Sequence, residues 1–202
     1  MLAKFALAAL VFFAANAQAQ SPDLWPEHHE RIEGWRARVE KINADPGIPA
    51  GDGEGKAVAE ELVAASAEPL AQKEWLGEWR VRSIQGTRYG IFVYPWFKAR
   101  VTLRDGKLFF EKTTGSQRRS GWLFMPVQGN EWTFAGGASV NEDPQAPYSR
   151  DPDAQSHDSG PTGPAQSDSV GVAWKIGDGR IVMALDVRED DYEIYQLKRA
   201  NP

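Results

Sequence analysis

Apolar residues recur at two different periods along this chain, and the change of period divides it. Between Pro26 and Asn43, Ile32, Trp35, Val39 and Ile42 fall at steps of three and four, the single stripe of an amphipathic helix. Pro26 suits a first turn. Glu27 and Glu30 near the start and Arg38 and Lys41 near the end match the helix dipole. Asp45-Pro46-Gly47 ends the pattern, and residues 45–55 have the composition of a loop. Lys56 to Ala67 predicts a second, weaker helix, with Val58, Leu62 and Ala65 on one side and Pro69 beyond it.

From Gly77 the period is two. Trp79, Val81 and Ser83 alternate with Arg80 and Arg82. Phe97, Ala99, Val101 and Leu103 alternate with Lys98, Arg100, Thr102 and Arg104, the pattern of a half-buried strand. Asp105-Gly106 is a two-residue hairpin signal, and Lys107 to Lys112 returns from it. Further strands are predicted at Trp122 to Val127, Trp132 to Ala135, Val170 to Ile176, Arg180 to Val187 and Tyr192 to Leu197. Eight or nine short strands follow one another, with no helix-length segment between them, so parallel βαβ crossovers are excluded. The expected class is mainly β: a small antiparallel up-and-down barrel of lipocalin-like kind, preceded by one or two helices over 20–76. A flattened sandwich is the alternative. Residues 141–169 interrupt the alternation with five Pro, five Ser and five Asp, and predict a long mobile loop.

The first residues carry an address. Met1 to Lys4 is basic, Phe5 to Ala15 is an apolar run of 11 residues, and Ala17-Gln18-Ala19 has the small-x-small form of a signal-peptidase site. Such a run is short of the roughly 20 residues that span a bilayer. A cleavable signal peptide over 1–19 and a periplasmic or secreted location are expected. No transmembrane segment is predicted.

Charge sharpens the picture. Residues 21–79 carry a net −7, residues 80–120 a net +8, and residues 121–202 a net −7. A mildly acidic chain therefore contains a basic segment. By alternation Arg80, Arg82, Lys98, Arg100 and Arg104 point away from the apolar face. The surrounding acidic helices and strands could neutralise this patch within the fold, where each exposed pair contributes about 0–1 kcal/mol. Alternatively, the patch receives an anionic small molecule or envelope polymer. The export signal and overall acidity argue against nucleic acid.

Candidate chemistry is sparse. There is no Cys, which excludes disulfides and thiolate chemistry. His28 and His29 diverge on a helix, His157 lies in the long loop, and neither a nucleophile elbow nor a phosphate-binding glycine loop occurs. No metal or cofactor is expected and no catalytic set stands out. Gly115-Ser116-Gln117-Arg118-Arg119, read as a loop between two strands, follows Thr113 and Thr114. Its amides, hydroxyls and guanidiniums could hold a carboxylate, phosphate or sulfate. Equally, its hydroxyls could satisfy the loop's own backbone. Arg82, Arg100, Ser116, Gln117, Arg118 and Arg119 are the candidate ligand-binding residues.

The run KTTGSQRRSGWLF (Lys112 to Phe124) resembles the Lys-x-x-Gly-Ser-Gln-Arg core of a bacterial family, domain of unknown function 4893. GEWRVRSI (Gly77 to Ile84), YPWFKARV (Tyr94 to Val101), YSRDP (Tyr148 to Pro152), DSVGVAWKIGDGRIVMAL (Asp168 to Leu185) and EDDYEIYQL (Glu189 to Leu197) are similar to its other landmarks, in order. The resemblance implies an exported protein with a helical N-terminal part and a β domain. It implies no activity. It also implies a cystine in many relatives where Val81 and Ala99 stand here, so these two side chains are expected to be neighbours on the inward face. Residues 153–168 look like an insertion relative to the family. A binding module for an anionic ligand or envelope component is the expected function. The alternative is a periplasmic protein-interaction or inhibitor role, using the arm at Gln20 to Trp25.

Overall fold

A computed structural model describes residues 22–51, 53–151 and 163–200. The expected signal peptide and cleavage site, His157 and the centre of the long loop lie outside the described residues. Nine strands form one antiparallel sheet: β1 (Gly77–Thr87), β2 (Gly90–Val93), β3 (Phe97–Arg104), β4 (Lys107–Lys112), β5 (Gln117–Phe124), β6 (Trp132–Val140), β7 (Asp168–Gly177), β8 (Arg180–Leu185) and β9 (Tyr192–Arg199). β1 and β9 pair along Trp79 to Gly86, which closes eight strands into a barrel. On its other edge β1 serves two partners: its first half pairs with β3 and its second half with β2. β2 is therefore an extra strand beside the ring. The predicted barrel is correct, and the sandwich is not formed.

An eight-stranded barrel is just wide enough for its own side chains to fill it. Trp79, Val81, Val101, Leu108, Phe110, Phe134, Met183, Tyr195 and Leu197 do so, and Trp75 sits among them. Trp75 comes from a short helix, α4 (Gln72–Trp75), which the sequence pattern did not predict. Trp79 Nε1 donates to the Trp75 carbonyl at 2.7 Å and fixes that junction. Each fully buried large apolar side chain contributes about 1.5–3 kcal/mol relative to exposure.

The predicted helix over 26–43 is two helices, α1 (Pro26–Ile32) and α2 (Trp35–Ala44). Gly34 lies between them at φ +66°, a left-handed conformation that glycine adopts without strain. The second predicted helix forms as α3 (Glu54–Ala64). Trp35, Val39, Ile42, Leu62 and Val63 pack on the outer face of the barrel, against Val172, Trp174, Val182, Ala184 and Ile194. β7, β8 and β9 are thus covered on both faces, which explains their nearly continuous apolar runs.

At the near flank of the long loop, Tyr148 is buried with Leu24, Ala135 and Val170. Val81 and Ala99 both face inward, but the register sets Trp79 opposite Ala99 and Val81 opposite Phe97. The pair is therefore diagonal: the two side chains share the inward face on neighbouring strands but are not directly opposite.

Candidate functional site

Alternation decides where the Gly115 to Arg119 run goes. β5 begins at Gln117, five residues before the predicted strand, so only Gly115 and Ser116 belong to the turn. Leu123 is packed in the barrel, and stepping back by two places Gly121, Arg119 and Gln117 on the same inward face. Arg118 points outward, where its Nη2 donates to the Asp143 carbonyl at 2.7 Å. Ser116 is exposed at the rim, and its carbonyl accepts from Asn141 N at 2.7 Å. The threonines before it fasten the turn: Thr114 Oγ1 accepts from Lys98 N at 2.8 Å, and Thr113 Oγ1 donates to the Lys98 carbonyl at 3.2 Å. These hydroxyls serve the local backbone.

Gln117 and Arg119 open into a cavity of about 330 Å³ at the barrel mouth, lined also by Gln85, Ser139, Asp186, Arg188, Asp191 and Glu193. Its floor is a buried ionic cluster. Arg119 Nη2 lies 2.6 Å from Glu193 Oε2 and 3.2 Å from Asp186 Oδ2. Glu193 Oε1 accepts from Ser83 Oγ at 2.6 Å and Gln85 Nε2 at 3.2 Å. Asp186 accepts from Ser169 Oγ at 2.8 Å and Val170 N at 3.0 Å. Burial works against the Arg119 charge, yet Glu193 and Asp186 hold its pKa above the ordinary arginine value. Beside the cluster Lys112 is buried and donates to the Gln117 carbonyl, with its Nζ 4.6 Å from the Phe97 ring. Burial lowers its pKa, reinforced by Arg119 and opposed by Glu193. The hydroxyl of Tyr195 lies deeper, and burial pushes its pKa well up.

At the rim the Gln85 amide donates to Gln117 Oε1 at 2.8 Å. Arg188 and Asp191 face each other at 3.5 Å. Burial raises the pKa of Asp191 despite this partner. Ser83, Gln85, Lys112 and Glu193 were not predicted as site residues. Strand parity could have found them: each continues the inward positions of its strand to the end, where polar residues replace Trp79, Phe110 and Tyr195.

The other candidates lie elsewhere. Arg82 and Arg100 are on the outer wall, away from the mouth. Arg82 bonds Gln196 at 2.7 Å and Glu54 at 3.3 Å. Arg100 and Arg104 share Glu111 at 2.8 and 2.7 Å. The arm is also tied down at Asp23 to Trp25. Leu24 is buried, Trp25 N donates to Tyr148 Oη at 3.0 Å, and Asp23 pairs with Arg150 at 2.9 Å.

No curated protein matches the chain. Among solved structures, a protein of unknown function from the DUF3598 family of Nostoc punctiforme PCC 73102 is similar over 66% of this chain, at 15% identity and a TM-score of 0.37. The chain spans about half of that protein's length, 51%. A family model described as "Domain of unknown function (DUF4893)" matches residues 23–197. That span takes in the N-terminal helices, the Gly-Ser-Gln-Arg segment and the barrel up to Leu197 in β9, and the chain belongs to the DUF4893 family.

Proposed function

We propose that this protein is an exported binding module that takes a small anionic ligand at the barrel mouth. The observation that carries it is which hydrogen-bonding capacity the mouth leaves over. The acceptors of Asp186 and Glu193 are engaged by Arg119, Ser83, Gln85, Ser169 and the Val170 amide. Among the described residues, the donors that line the cavity and are not taken up by Asp186 or Glu193 include the Gln117 amide nitrogen and the Arg188 guanidinium, whose one carboxylate contact is long. An acceptor-rich, negatively charged group suits them. The cavity falls within the size range of small-ligand pockets, and a barrel mouth is one of their usual places. The barrel below is filled with side chains, so the ligand is short and polar and does not enter the apolar core.

The clean test avoids Arg119, whose loss would disturb the floor. Thermal-shift and calorimetric titrations with phosphate, small dicarboxylates and sugar phosphates are compared between the natural protein and Gln117→Leu and Arg188→Gln. Stabilisation by one of these anions, weakened about tenfold in each variant, is expected, the size of one lost charge-assisted bond. Stabilisation that survives both substitutions, or none with any anion, overturns the assignment.

A further inference from the structure

The outer wall carries a feature that the mouth does not use. Lys98 on β3 is directly opposite Arg80 on β1, Arg80 is directly opposite Lys198 on β9, and Lys198 is directly opposite Arg180 on β8. Four cations therefore stand in one row across four neighbouring strands, all on the outward face. Neighbouring strands lie about 4.8 Å apart, so the row is about 14 Å long. Like charges directly opposite each other destabilise a sheet. Three such pairs in succession are a cost that folding alone does not call for.

The wall shows what neutralisation looks like, and most of the row lacks it. In flanking rows Arg82 has Glu54, while Arg100 and Arg104 have Glu111. Within the row Arg180 has Glu61 at 3.6 Å. Arg80 donates only to the Trp96 carbonyl, at 3.2 Å. Among the described residues neither Arg80, Lys98 nor Lys198 lies within ion-pair distance of a carboxylate, and Glu78, the nearest acid on β1, is set opposite Arg100. The Trp96 ring adjoins the row: Lys198 Nζ is 4.3 Å from its centre, and the Arg82 guanidinium is 5.1 Å away on the flanking row.

We propose that this row is a docking surface for an acidic polysaccharide, a linear chain bearing carboxylates or sulfates on successive sugar rings, with one ring against Trp96. Charge complementarity supplies the attraction, and the spacing suits a polymer with closely repeated anions. The row winds round a convex barrel. A flat bilayer would touch only part of it, whereas a flexible polymer can follow the curve. The aromatic ring offers a sugar face a surface that a simple inorganic anion does not need. The site is separate from the mouth and shares no residue with it.

The test uses retention on immobilised polygalacturonate, with the natural protein and with Arg80→Gln/Lys198→Gln. Salt-dependent retention by the natural protein and about tenfold weaker binding by the double variant are expected. The thermal midpoint of the double variant should be unchanged or higher, because all three repulsive pairs are relieved. Trp96→Ala should weaken polygalacturonate binding while leaving retention on a plain sulfonate resin in place. Equal retention of natural protein and double variant overturns the proposal, as does a lowered midpoint, which would make the row a structural device. Tighter binding of a single-stranded oligonucleotide or of phosphatidylglycerol vesicles, at equal charge concentration, overturns it in favour of those partners.

Discussion

Arg119 is more strongly committed to the fold than its place in an exposed-looking Gln-Arg-Arg run suggests. Its guanidinium lies between Asp186 and Glu193, with little of any of the three side chains exposed. Removing one member of a buried ionic cluster leaves the others uncompensated, which typically costs 3–5 kcal/mol. Arg119→Met should therefore lose about that much, read as a fall in the urea midpoint, whereas the outward-facing Arg118→Ala should lose less than about 1 kcal/mol. A near-normal midpoint for Arg119→Met would show that the cluster is dispensable. Composition and spacing could nominate the run but could not rank its members. Two adjacent arginines on a strand point to opposite faces, and only the register says which one meets the carboxylates.

At the scale of elements, the alternation from Trp79 onward was legible because one face meets the core and the other meets water. It failed where that contrast is absent. β5 and β6 extend beyond the predicted strands because their mouth-end residues are polar or very small, whereas β7 to β9, buried on both sides, are recognisable by their apolar content between turns. The break at Gly34 was overlooked because the apolar stripe continues through it. The small residues have a packing reason. Gly121 and Gly136 are directly opposite each other, and a Cβ on Gly136 would stand 2.1 Å from the Ser120 carbonyl oxygen. Only bare backbone lets β5 and β6 approach this closely as the wall curves. Gly136→Ala should cost about 1–3 kcal/mol, as overpacked positions do. Gly129→Ala, in a turn with nothing near its Cβ position, should cost less despite a φ of +75°. Chemical denaturation of the two variants side by side checks the order.

Across the whole molecule, the N-terminal segment is joined to the barrel at a titratable point. The Tyr148 hydroxyl accepts from Trp25 N and lies 2.8 Å from His28 Nδ1, so a neutral His28 accepts the hydroxyl proton there. Burial, with Arg31 adding to it, lowers the His28 pKa below its ordinary 6.5. Burial likewise pushes the Tyr148 phenol up to about 12. Unfolding lets His28 bind a proton more readily, so its contribution is present above pH 6.5 and is lost as pH falls through the lowered folded value. Facing groups are Asp168, Asp186 and Glu27, which favour the proton, and Arg31, which opposes it. Stability should therefore decline on acidification from pH 6.5, and His28→Phe should flatten that part of the profile. Thermal midpoints between about pH 5 and pH 8 give the comparison, and identical slopes for both proteins would rule out His28 as the source.

Closure of the ring by β1 and β9 has a consequence in time. Ser83 and Glu193, which meet at 2.6 Å across that seam, are 110 positions apart. Contacts so distant in sequence form late, after the entropy of a long loop has been lost. A chain emerging from a ribosome holds β1 with its second edge unmatched until β9 has also come through, so the seam cannot lock while its second half is still being made.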